Sequence, residues 1–240
     1  MQNQPSSPPK PITEFWRPDL VGLPRLTLAR RIYRHFVQFL LWLIALFAMK
    51  RTVKGVENFP RKGPALVVIN HLGDADAVLI GSCIPYPIDA LAKIELRDHP
   101  VVGPIFRAYG VIWIHRGRPD RKALHAALEG LAQGRIIALA PEGRESLTGA
   151  LEDGNEGAAF IALKSGAPIV PIAMTGTDNK SIYDNLKNHK RTRVSLTVGK
   201  PFFLQESANR RTRLQDGTRQ IMETLADMLP EEYRGSYRSS

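Results

Sequence analysis

The feature that most constrains this chain is an alternation that begins near residue 52. Short apolar runs rich in β-branched residues lie at 65–69 (ALVVI), 88–92, 111–114, 136–140, 169–173 and 194–198, with stretches of helical periodicity between them. Runs of this length and composition read as buried strands. Strands apolar on both faces need cover on both sides, and strand–helix alternation supplies it. The expected fold is therefore α/β, with a mostly parallel central sheet covered by helices. Helical spacing is clearest at Ala123, Leu124, Ala127, Leu128 and Leu131, again at 158–164, and at Ile221, Met222, Leu225, Met228 and Leu229, where Pro230 stops it. Gly134 and the Ser165-Gly166 pair suit the ends of the first two helices. A chain of 240 residues can bury one large core, and no repeat or linker divides residues 52–230.

The ends differ from this body. Residues 1–12 (MQNQPSSPPKPI) are polar and proline-rich, which predicts a disordered lead-in without the order of a signal peptide. Residues 231–240 read as a loose tail. Residues 13–51 carry an apolar run, 36–49, broken only by Gln38. As a helix those 14 residues cover about 21 Å, short of the ~30 Å of a bilayer core. Arg30, Arg31 and Arg34 precede the run, and Lys50, Arg51 and Lys54 follow it. The segment reads as an N-terminal membrane-associated helix lying in one leaflet, with its basic flanks on anionic phospholipid. Attachment is expected to be peripheral or monotopic, on the cytoplasmic face. A buried core helix is the alternative for so short a run.

Thirty-three Lys and Arg against 23 Asp and Glu give a formal charge of +10, which favours an anionic partner. No RNA-recognition or helix-turn-helix signature accompanies it, and part of the charge flanks the apolar run. Lipid is thus favoured, and no nucleic acid is expected. The single cysteine, Cys83, excludes a disulfide framework and multi-cysteine metal sites. A GxGxxG turn, a Walker A loop, an HExxH helix and a GxSxG elbow are all missing from the sequence.

Several strand ends carry chemistry-bearing residues, which is where open α/β sheets gather function. Asn70-His71-Leu72-Gly73-Asp74-Ala75-Asp76 follows the first buried run. Five residues along one helix would place His71 and Asp76 about 140° apart. The two can pair only if His71 sits in a loop and Asp76 opens the next helix. A second His-x4-Asp pair, His115 and Asp120, also ends a strand, but it passes through Arg116 and Pro119 and reads as a charged surface loop. Arg116 closes the strand that begins near Gly110, and arginine suits bidentate phosphate binding. Pro141-Glu142-Gly143-Arg144-Glu145-Ser146 places acids, a glycine and an arginine in a tight turn, where amides can receive an anion. Pro171 lies inside a strand, which ordinarily signals an edge, a start or a bulge.

In this order, the blocks NHxxxxD (70–76), GxxxxxR (110–116), PEG (141–143) and VPI (170–172) resemble the glycerophospholipid acyltransferase family. The bacterial 1-acylglycerol-3-phosphate acyltransferases look nearest, and the likeness runs from about Val56 to Thr177. Ala92-Lys93-Ile94-Glu95-Leu96 also looks like the family's lysine-containing segment. The resemblance implies that His71 and Asp76, rather than His115 and Asp120, are the catalytic pair. It implies that Arg116, Glu142 and Gly143, with Arg144 and Lys93, bind the glycerol phosphate. The implied reaction moves a fatty acyl group from acyl-CoA or acyl-carrier protein to a lysophospholipid hydroxyl, with lysophosphatidate as acceptor and no metal or organic cofactor. Another lysophospholipid, a glycolipid or glycerol 3-phosphate is the alternative acceptor, and a non-catalytic lipid-binding relative is the alternative role. The family's third block usually reads PEG-Thr-Arg-Ser. Here Arg144 comes one position early and Glu145 follows it.

Overall fold

The strand at Ala65–Ile69 (β2) shows how the sheet is built. Ala65 and Val67 turn to one face, Leu66 and Val68 to the other, and all four are fully buried. A run with both faces covered has no polar alternation to show. The structure is a computed structural model and describes residues 10–117, 119–205 and 212–238. Most of the expected lead-in (residues 1–9) and the last two residues of the tail lie outside them.

The strands are β1 (Met49–Lys54), β2, β3 (Asp89–Lys93), β4 (Ile112–Ile114), β5 (Ile136–Leu139), β6 (Ile169–Thr175) and β7 (Thr192–Val198). They form one sheet in the order β1-β7-β6-β2-β5-β3-β4. The five strands from β6 to β4 are parallel, whereas β7 runs antiparallel to β6 and parallel to β1. The helices are α1 (Leu28–Ala48), α2 (Ala75–Cys83), α3 (Val102–Tyr109), α4 (Arg121–Ala132), α5 (Gly157–Ser165), α6 (Asn179–Lys187) and α7 (Arg213–Met228). One core joins Leu66, Val68 and Ile137 to Leu131, Ile161 and Ile221 from α4, α5 and α7. The other joins Val67 and Ile172 to Ala45 of α1 and Leu79 and Ile80 of α2. All six expected strands are present, and the mostly parallel α/β sheet is the observed fold.

The N-terminal segment differs from its expectation. Thr27 caps α1 by accepting from the Arg30 N–H, so the helix begins eight residues before the apolar run and measures about 31 Å over its 21 residues. By length and composition it can reach across a membrane. Yet Arg34 is buried against the domain: its guanidinium meets Asp89 at 2.7 Å and donates to the carbonyls of Tyr109 and Gly110. The opposite side of α1 exposes Leu28, Ile32, Phe36, Phe39, Leu40 and Phe47. At Met49 the backbone turns extended and enters β1, which pairs in parallel register with β7. The basic residues Lys50, Arg51 and Lys54 are thus part of an edge strand, and the division placed between residues 51 and 52 cuts through it.

Three further expectations are corrected. Pro171 lies in an interior strand, but the β6–β7 ladder ends at Ile172, and beyond it Pro171 only accepts, from the Gly199 N–H. No donor is needed at that position, so proline fits there. The tail docks: the Leu151 N–H donates to the Tyr233 carbonyl at 2.8 Å, and Tyr233 and Tyr237 pack on the first core. The end of the lead-in is also held, since Lys10 Nζ donates to the Asp153 carbonyl and to Asn155 Oδ1. From there Leu20, Val21 and Leu23 pack against the core at the β4 edge, which would otherwise be open.

Candidate active site

The carboxyl ends of β2, β3, β4 and β5 lie side by side, and β2 and β5 are neighbours although two strands separate them in sequence. The chain reverses its direction of winding here, which opens a crevice above the sheet. His71 leaves β2 into that crevice. Asp76 lies in the first turn of α2 and sends Oδ2 back to His71 Nδ1 at 2.7 Å, and to the N–H groups of Leu72 at 2.8 Å and Gly73 at 3.2 Å. The carboxylate thus holds both the ring and the turn that carries it. With Nδ1–H donated to Asp76, the neutral imidazole presents Nε2 as an acceptor. Nε2 has no partner among the described residues, and the side chain is 29% exposed.

Neighbouring loops fix the backbone of His71. Its N–H donates to Glu142 Oε1 at 3.0 Å, and its carbonyl accepts from the Ser146 N–H at 2.7 Å. Asn70 pairs its amide with both backbone groups of Met174 and ties the end of β2 to β6. Burial alone would lower the His71 pKa. The hydrogen bond to Asp76 and the charge of that carboxylate, helped by Glu145 and Glu142, raise it above the ordinary 6.5.

Glu142 does not face the crevice. It is 1% exposed, and its Oε2 accepts from the Glu152 N–H at 2.9 Å while Oε1 holds His71. Burial pushes its pKa up to about 7, against the pull of those two N–H groups. It supports the His71 loop rather than offering a ligand contact. Arg144 is buried as well, with Nε 2.6 Å from Glu152 Oε2. Gly143 has φ +74°, and its N–H closes the turn onto the Ala140 carbonyl. The space a Cβ would need is filled by the Asn155 amide. Glu142, Gly143 and Arg144 thus make contacts that build the loop.

Lys93 and Arg116 keep access to solvent. Lys93 Nζ lies 3.6 Å from Glu145 and Arg116 Nη2 lies 3.8 Å from Glu95. Pairs this long leave N–H groups available to an anion. Glu145 also accepts from Asn179 Nδ2, and Asn179 Oδ1 in turn accepts from the Asp74 N–H. Sequence reasoning assigned no role to Glu95, Glu145, Glu152, Asn155 or Asn179. Glu145 gave a signal as the acid that departs from the family's third block, and Glu95 stands in the segment that carries Lys93.

His115 and Asp120 correct the surface-loop expectation. They meet at 2.6 Å with side chains 0% and 1% exposed. Asp120 caps α4 through the N–H groups of Lys122 and Ala123, and His115 Nε2 accepts from the Arg17 N–H at 2.9 Å. Trp16 packs against the imidazole with ring centroids 4.1 Å apart and planes tilted by 32°. Both ring nitrogens are occupied.

Comparison with known proteins follows the same lines. A 1-acyl-sn-glycerol-3-phosphate acyltransferase of Borreliella burgdorferi is 31% identical over 149 residues, 61% of this chain and 58% of that protein. A chloroplastic 1-acyl-sn-glycerol-3-phosphate acyltransferase of Brassica napus is 29% identical over 72% of this chain and 52% of its own length. The 1-acyl-sn-glycerol-3-phosphate acyltransferase of Bacillus subtilis is 26% identical over 64% and 74% respectively. The chain thus spans little more than half the length of the first two relatives. The crystal structure of the 1-acyl-sn-glycerophosphate acyltransferase from Thermotoga maritima superposes with a TM-score of 0.61 at 24% identity, covering 85% of this chain and 84% of the other, so the two share a fold. The family model described as Acyltransferase matches residues 50–175, a little over half of the sequence and all four strand-end blocks, and the chain belongs to that family.

Proposed function

We propose that the protein transfers a fatty acyl group from a thioester, acyl-CoA or acyl-carrier protein, to the free hydroxyl of lysophosphatidate, giving phosphatidate. The observation that carries this reading is His71, whose Nε2 is open to the crevice while Asp76 fixes Nδ1. The printed names of the relatives support lysophosphatidate as the acceptor. A thioester is already activated, so the reaction needs neither an enzyme nucleophile nor a metal or organic cofactor. His71 Nε2 takes the hydroxyl proton as the oxygen attacks the thioester carbonyl. The tetrahedral intermediate collapses with cleavage of the C–S bond, and the imidazolium returns the proton to the leaving thiolate. Asp76 holds the tautomer and stabilises the imidazolium, and base catalysis of this kind contributes roughly 10²–10⁴ in rate. Lys93 and Arg116 hold the acceptor phosphate. No nucleic acid enters this reading.

The exposed apolar side of α1 would meet the membrane that holds acceptor and product. Attachment is peripheral or monotopic in this reading, because a span that left the domain would strip Asp89 of its buried Arg34. Deletion of residues 1–50 should reduce vesicle binding.

Thiol release from a panel of acyl-CoAs with lysophosphatidate in detergent tests the chemistry, with His71→Ala beside the parent protein. Release that depends on both acceptor and His71 is the expected result. Equal release from both proteins would overturn His71 as the base.

A further inference from the structure

The segment that precedes α1 reaches the carboxyl ends of β3 and β4 from outside the matched family region, and one side chain in it joins the two. Thr13 is buried, and its hydroxyl accepts from the Arg116 N–H at 2.8 Å while donating to Glu95 Oε1 at 2.8 Å. Its own N–H donates to the Arg116 carbonyl at 3.1 Å, like a residue added to the edge of β4. The same Glu95 oxygen stands 3.8 Å from Arg116 Nη2. Thr13 therefore holds both the backbone of Arg116 and the carboxylate beside its guanidinium. Arg116 Nε is buried without a partner among the described residues, an arrangement that costs stability unless a ligand supplies an acceptor. Three residues earlier, Lys10 binds the Asp153 carbonyl and Asn155 Oδ1, and Asn155 Nδ2 donates to the Glu142 carbonyl. Residues 10–13 thus bridge the loop after β4 and the loop after β5.

We propose that this N-terminal strap is part of the acceptor site and that Thr13 is a positioning residue, setting Arg116 to receive the phosphate of the acceptor headgroup. The proposal rests on the reading of Arg116 as a phosphate ligand. Threonine suits the task because one hydroxyl both accepts and donates. Valine keeps its shape and loses both bonds, whereas serine keeps the bonds and loses only a methyl group.

Two measurements on the full chain test this, with Thr13→Val and Thr13→Ser beside the parent and thermal melts confirming that each folds. The first is steady-state kinetics with lysophosphatidate and acyl-CoA. Thr13→Val should raise the acceptor KM about tenfold, leave the acyl-CoA KM within twofold, and change kcat less than KM; Thr13→Ser should return the acceptor KM to near the parent value. The second is calorimetric titration with glycerol 3-phosphate, which needs no turnover. Thr13→Val should weaken binding by a similar factor and Thr13→Ser should restore it. Turnover with an acceptor KM and headgroup affinity unmoved by Thr13→Val overturns the positioning role and leaves acyl transfer standing. Headgroup binding that weakens in Thr13→Val, without turnover in the parent, supports the strap and overturns the acyl-transfer reading. A parent that neither binds nor turns over overturns both.

Discussion

His71–Asp76 and His115–Asp120 are the same device placed twice. Each histidine ends a parallel strand, each aspartate follows five residues later at or beside the start of a helix, and each carboxylate binds Nδ1 at 2.6–2.7 Å. What differs is the fate of Nε2. At His71 it has no partner among the described residues and the side chain is partly exposed, at a sheet end where Lys93 closes β3 and Arg116 follows β4. At His115 the Arg17 N–H fills it and Trp16 covers the ring. A spacing, a strand end and a carboxylate therefore make a fixed imidazole, and only the surroundings decide whether it can take a proton from a substrate.

Exchanging the losses is the hardest test of that contrast. His71→Ala should lower the acyl-transfer rate by roughly 10²–10⁴ with a smaller fall in melting temperature than His115→Ala, since the ring is partly exposed and Asp76 keeps two N–H donors. His115→Ala should do the reverse. It strips the Arg17 N–H of its acceptor and leaves a cavity beneath Trp16. The expected cost is about 3 kcal/mol, a Tm fall on the order of 6–12 °C for a domain of this size. Activity per folded molecule should stay within a few-fold. Parallel thermal melts and rate assays on the two variants decide the matter, and a large rate loss in a fully folded His115→Ala protein would break the distinction.

Glu142 sharpens the comparison from another side, because only the His71 loop depends on a buried acid from the neighbouring strand. Glu142→Ala leaves the N–H groups of His71 and Glu152 without acceptors, at about 1–3 kcal/mol each. Both stability and activity should fall in this one variant, and calorimetry with a rate assay would show it. Activity that survived in a folded Glu142→Ala protein would mean that the His71 loop does not need this support.

The same contrast explains what the sequence made legible. The six core strands and helices α4, α5 and α7 announced themselves because one or both of their faces are buried over several turns or pleats. β1 did not, since Met49–Lys54 is a basic edge strand whose partner lies more than 140 residues away. Nor did α2, whose ADAVLIGSC run is apolar nearly all round, or α6, which is short and mostly polar. At the site, the order of the blocks singled out His71 and Asp76. The burial of Glu142 and Arg144 could not be read, because Glu152 comes eight residues after Arg144 in an irregular loop with no period to follow. His115 misled for the same reason: the Trp16 and Arg17 that seal it come from a segment nearly 100 residues upstream.

The smallest expected effect concerns pH, and here stability and activity should move in opposite directions. The folded pKa of His71 is raised above 6.5, so its contribution to stability is complete below that value and is lost as pH rises through the folded pKa. Glu142 has the same sign: with a folded pKa of about 7 against an ordinary 4.5, the folded protein holds the proton more tightly and loses stability as pH climbs between the two. Melting temperature should thus decline from near pH 4.5 to above 7. Activity should rise over the upper part of that range, because only the neutral imidazole can accept a proton, and the acid limb of kcat/KM should lie above 6.5. Glu145 separates the His71 effect from the rest. Its charge helps to raise the His71 pKa, though less than Asp76 does. Glu145→Gln should move the acid limb to lower pH. A limb that stayed in place in Glu145→Gln would assign the titration to a group other than His71, and the open Nε2 would lose its claim to be what distinguishes the two pairs.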